Sequence, residues 1–87
     1  MTAYLVERYL PGMSEAQASA AVRRAPAACA ELTAAGRRVR YLGSILMPSD
    51  EACFCRFDAD SEETVARVNE LAGIPFARIT EAHIVLP

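Results

Sequence analysis

His83 is the chain's single histidine, and imidazole is the only side chain whose ordinary pKa lies near neutrality. Glu81 stands two residues before it, and a third polar candidate, Glu7, lies near the start of the chain. A carboxylate and an imidazole offer one oxygen and one nitrogen to a divalent ion. They can equally form a general base with its orienting partner. Glu7, Glu81 and His83 are therefore the candidate metal ligands, and Glu7 and His83 the candidate acid–base pair. A Zn²⁺ or Ni²⁺ site needs at least three ligands, so further donors must come from a second protomer or from water. A half-exposed histidine on an edge strand is the plain alternative.

The other reactive side chains carry weaker chemistry. Cys53 and Cys55 flank Phe54. On a strand they share one side, about 7 Å apart at Cα. That spacing is marginal for a disulfide and awkward for joint chelation, which favours a role as small buried hydrophobes. Cys29, in an Ala-rich helix, reads as core filler. Arg56 suits a ligand carboxylate or a pairing with Glu7. There is no Gly-rich phosphate loop and no Ser-His-Asp or Cys-His nucleophile arrangement.

The elements that position these residues follow from patterning. Residues 3–10 form a strand with Tyr4, Val6, Arg8 and Leu10 on one face and Leu5, Glu7 and Tyr9 on the other, ended by Pro11-Gly12. Ser14 and Gln17 make a capping box. The Ala-rich helix that follows meets Pro26, which demands a kink or a restart, and Gly36 ends it. Residues 38–47 and 52–58 are strands joined at Pro48-Ser49-Asp50 as a hairpin. Asp60 or Ser61 caps a second helix with Glu62 and Glu63 in its first turn and a stripe of Val65, Val68, Leu71 and Ala72. Gly73 and Pro75 stop it, and residues 79–86 form a last strand.

Strand, helix, hairpin, helix, strand is the ferredoxin-like β-α-β-β-α-β arrangement. It is an α+β fold in one domain, 1–87, with an antiparallel sheet ordered 4-1-3-2 and helices on one face. If Val6, Cys55, Phe57, Ala82 and Ile84 pack on the helices, then Glu7, Arg56, Glu81 and His83 share the open face. Strands 1 and 4 are neighbours, which places Glu7 within reach of His83. A bare face on a chain that is 53% apolar suggests a homodimer.

Composition sets the outer limits. Eighty-seven residues bury a modest core. A net charge of −2 argues against a nucleic-acid partner, which calls for a basic face. No apolar run is long enough to cross a membrane. The start lacks a secretory pattern and three cysteines make no full disulfide framework, so the cytoplasm is the expected location.

Several stretches together resemble the small bacterial nickel-binding proteins. They are Val6-Glu7-Arg8 with Leu10-Pro11-Gly12, Tyr41-x-x-Ser44, Phe54-Cys55-x-Phe57-x-Ala59 with Ser61-Glu62-Glu63, and Gly73-Ile74-Pro75 with Arg78-Ile79. The resemblance implies a ferredoxin-like homodimer that binds Ni²⁺, with sequestration as its use. Relatives often carry His just before the strand-2 Ser, and here that residue is Gly43. The architecture is also similar to dimeric α/β-barrel isomerases and cyclases. That likeness implies a small organic ligand oriented by Tyr41, Ser44 and Arg56 while Glu7 or His83 moves a proton. A non-catalytic dimerising or ligand-binding module is the third reading.

Overall fold

Capping residues, a proline and a glycine fix the helical layer. Ser14 accepts from the backbone N–H of Gln17, whose side chain returns to the Ser14 N–H, and this capping box starts α1 (Glu15–Val22). Pro26 then lies in the first turn of a separate helix, α2 (Ala25–Ala34), the position where its missing N–H costs nothing. Ser61 caps α3 (Glu62–Ala72), and Gly73 closes it in the left-handed conformation, φ +68°.

The strands are β1 (Thr2–Tyr9), β2 (Val39–Met47), β3 (Ala52–Ala59) and β4 (Arg78–Glu81). The computed structural model describes residues 1–87. The sheet is antiparallel in the order β2-β3-β1-β4, as the sequence predicts, with the helices on one face. Val6, Val39, Cys53, Cys55, Phe57 and Ala59 from the sheet meet Ala18, Val22, Ala28, Cys29, Val65 and Val68 from the helices in a single core. The opposite face carries Leu5, Glu7 and Tyr9, then Phe54, Arg56 and Asp58, with no helix over it.

Two departures from regular alternation decide what reaches each face. The first is a bulge in β2. Tyr41 pairs with Phe57 and Gly43 with Arg56, leaving Leu42 as an extra residue. Tyr41 and Ser44, three apart, would fall on opposite faces of a regular strand. The bulge restores both to the helix side, because Ser44 pairs with Cys55. Gly43 accommodates this with φ +126°, a conformation that side chains rarely adopt.

The second is β4, which corrects the expected faces. Ile79 pairs with Val6 and Glu81 with Tyr4, so these residues lie on the helix side. Arg78 and Thr80, opposite Glu7 and Leu5, take the open face. Regular strand ends at Glu81 instead of running to residue 86. Ala82 and Ile84 do not anchor the strand; Ile79 does, by packing against the core. That reverses the alternation read from sequence.

Replacing Gly43 by Ala tests the bulge. No atom lies within 4 Å of the added Cβ, so only the backbone conformation resists it. The variant is expected to lose about 1–3 kcal/mol in urea denaturation, with an unchanged far-ultraviolet spectrum.

Candidate functional site

The site residues read from sequence divide into three groups. On the open face, Glu7 pairs with Arg78 at 3.7 Å and accepts a hydrogen bond from the Tyr9 hydroxyl at 3.2 Å. It does not pair with Arg56. Arg56 is half-buried, its side chain makes no hydrogen bond or ion pair, and it edges a hollow of about 120 Å³ with Leu5, Leu42, Ala82 and Ile84. At the chain's far end, His83 Nε2 lies 3.0 Å from Glu81 Oε2, and both side chains are solvated. Glu7 and Glu81 are separated by three ladder steps, about 10 Å, and face opposite sides. The expected Glu7–His83 pair is therefore not formed, because the antiparallel register sets Glu81 beside Tyr4 and Ala82 beside Ala3, so that residues 81–83 run toward the start of β1 and away from Glu7.

Tyr41 and Ser44 make the third group, beneath the sheet. Their hydroxyls hydrogen-bond each other, and Ser44 Oγ lies 2.9 Å from Cys55 Sγ. Cys55 Sγ is in turn 3.7 Å from Cys53 Sγ. Both thiols are wholly buried. The expected set of Tyr41, Ser44 and Arg56 around one ligand does not form, because the bulge sends the two hydroxyls inward and leaves Arg56 outside.

Next to this chain of polar atoms sits Arg8, opposite Cys53 in the ladder and 0% exposed. Its Nη2 donates to Asn69 Oδ1 at 2.6 Å and its Nη1 to the Pro75 carbonyl at 3.2 Å. Its Nε has no partner, and no carboxylate is within ion-pair distance. Asn69 is fixed by its own donation to the Val65 carbonyl at 2.8 Å. A buried guanidinium without a counter-ion is costly, and here three elements are committed to accommodating it.

The same burial governs the thiols. Desolvation first, and then the neighbouring Cys55, push Cys53 up to about 11 from an ordinary 9.0, against an opposing pull from Arg8. Burial also raises Tyr41 and Cys29. All are neutral at pH 7.

Arg8, Asn69 and the thiol pair were missed as a polar centre by sequence reasoning. A signal existed: Arg8 alternates with Tyr4, Val6 and Leu10, an odd place for a charge, and Asn69 interrupts the apolar stripe of α3. The thiols' approach was not readable, because the closeness of two Sγ atoms depends on rotamers.

The resembling stretches converge here. Arg8, Tyr41, Ser44 and Cys55 come from three strands and meet on one side of the sheet. The family described as nickel responsive protein SCO4226-like matches residues 4–82. The chain belongs to that family. A crystal structure of SCO4226 from Streptomyces coelicolor A3(2) has the same fold, with a TM-score of 0.75 at 19% identity, covering 97% of this chain and 99% of that one. No curated protein matches the sequence.

The donor set was tested against the metal in the family's description. No three His, Cys, Asp or Glu residues of one chain lie close enough to share an ion. Glu81 and His83 supply two donors on a solvated segment. One chain alone does not enclose Ni²⁺.

Two outcomes check the polar centre. Asn69→Ala removes an acceptor from a buried guanidinium and is expected to cost about 1–3 kcal/mol in urea unfolding, whereas Arg8→Met with Asn69→Leu keeps most of the stability. The thiol gives a pH dependence. Cys53 has its folded pKa raised, so its contribution is complete below about pH 9 and is lost as pH rises toward 11. Urea midpoints measured from pH 8 to 11 should fall for the native chain and fall less for Cys53→Ala.

Proposed function

We propose that this protein is a non-catalytic, metal-responsive homodimer that sequesters Ni²⁺ through Glu81 and His83 of both protomers. The observation that carries the reading is the approach of His83 Nε2 to Glu81 Oε2, 3.0 Å apart, with neither group tied to a cation or to the core. Two copies supply two imidazoles and two carboxylates, and water completes an octahedron. Membership of a nickel-responsive family supports the choice of ion.

A second copy has apolar surface to cover beside these donors. Ile84, Val85 and Leu86, which follow His83 directly, are 57%, 89% and 79% exposed. Tyr9 and Ile45 on the open sheet face are each 56% exposed. Covering this surface gives the association its free energy, and it holds the donor pairs of two protomers together. Three free, buried cysteines suit a reducing compartment, so we place the protein in the cytoplasm.

Catalysis by Glu7 and His83 has less support, since the two lie on different parts of the molecule. The space beneath the sheet is filled, with Val6, Phe57, Val65 and Val68 all 0% exposed. One observation favours a ligand-binding module instead: unpaired Arg56 at the edge of the open-face hollow suits a small carboxylate.

Calorimetric titration with Ni²⁺ is expected to give one ion per two chains, and His83→Ala or Glu81→Ala should each weaken it about tenfold or more, near 1.4 kcal/mol. Leu86→Asp should shift light scattering toward monomer and weaken Ni²⁺ binding with it. Unchanged titration curves in both donor variants would refute the reading, and a saturable response to small carboxylates that Arg56→Met abolishes would favour the module.

A further inference from the structure

We propose that Cys53 and Cys55 form a second, buried site for a soft monovalent d¹⁰ cation, Cu⁺ or Ag⁺, with Arg8 as its charge partner. This site is separate from Glu81 and His83 and does not depend on the proposal made for them.

Distance is the first argument. With metal–sulfur bonds of about 2.3 Å, a two-coordinate d¹⁰ ion holds its two thiolates on opposite sides, about 4.6 Å apart. The two Sγ atoms are 3.7 Å apart, so each needs to move outward by roughly half an ångström. A disulfide would require them to close to about 2.05 Å.

Charge is the second argument, and it selects the ion. Binding is an exchange in which two S–H bonds break, two metal–sulfur bonds form and two protons leave to solvent. With a monovalent ion the bis-thiolate unit carries one negative charge. Arg8, buried, opposite Cys53 and without any carboxylate, carries one positive charge. The interior becomes neutral overall. A divalent ion would leave the bis-thiolate neutral and the guanidinium still uncompensated. Thiolate ligands already favour Cu⁺ over harder ions.

Hydrogen bonding is the third. A thiolate only accepts, so Ser44 must donate to Cys55, and Tyr41 to Ser44, along the existing contacts. Two hydroxyls thereby line up behind the developing charge. Burial holds the Cys53 thiol up at about 11, so weakly thiophilic ions do not displace its proton. Cys29 is remote in sequence on α2, lies in the apolar core and takes no part.

The test uses the reduced full-length chain refolded with one equivalent of Ag⁺ and then desalted. Refolding removes access through the closed core as a variable. Native mass spectrometry should find one Ag⁺ per chain, and X-ray absorption at the silver edge should count two sulfur neighbours. A pH-stat should record two protons released per ion. Cys29→Ser should retain the ion, while Cys53→Ser and Cys55→Ser should lose it. Arg8→Met, with native-like circular dichroism, should lower Ag⁺ affinity about tenfold or more while Zn²⁺ affinity stays level or rises. One sulfur neighbour, retention in Cys53→Ser, or equal loss of Ag⁺ and Zn²⁺ in Arg8→Met would overturn the proposal. None of these results bears on Ni²⁺ at His83, which the thiol variants leave intact.

Discussion

Arg8 places a full positive charge inside a small domain, and much of the architecture is arranged around it. It sits on the central strand β1 and faces the helices, where water cannot reach it. Its two terminal nitrogens are taken up by Asn69 in α3 and by the Pro75 carbonyl in the connection to β4. The guanidinium therefore ties the sheet's centre to the end of the last helix and to the segment that delivers the edge strand. Ile74 and Ile79, on either side of Pro75, complete the fastening by packing into the core. A hydrophobic residue at position 8 could fill the same volume, but it would leave no electrostatic partner for an anion formed nearby.

The β2 bulge is the second device. By inserting Leu42 it lets Tyr41 and Ser44 point the same way, toward the thiols and away from solvent. Without that extra residue, Tyr41 and Ser44 would lie on opposite faces. Gly43 carries the unusual dihedral that makes the insertion tolerable. The position serves backbone geometry and offers no donor. For the nickel site proposed above, His83 with Glu81 is the pair of the right chemistry.

Much of the fold was legible from sequence because local signals agreed with one another. The capping box at Ser14, the hairpin at Pro48 and the stop at Gly73 each had a single physical reading, Pro26 demanded a kink or a restart and made the restart, and the order of elements pointed to the strand order. The site was less legible. Alternation in β1 and β3 assigned Glu7 and Arg56 to the open face correctly. It failed in β4, where Ala82 and Ile84 looked like the anchors although Ile79 is the residue that packs. In β2 no faces were assigned, and its bulge changes parity without any composition signal beyond one glycine. Because a one-residue slip exchanges the two faces of a sheet, the reversed β4 and the unread bulge were enough to scatter the predicted ligand set.

The central claim is that nickel is held between two copies of this chain by Glu81 and His83. A crystal structure of the nickel-loaded protein, with anomalous differences collected at the nickel edge, tests it directly. The account predicts one strong peak beside Glu81 and His83 on a two-fold axis, with the same two side chains reaching it from each protomer. A peak at the thiols or on the open face, or a fully loaded monomer, would contradict it.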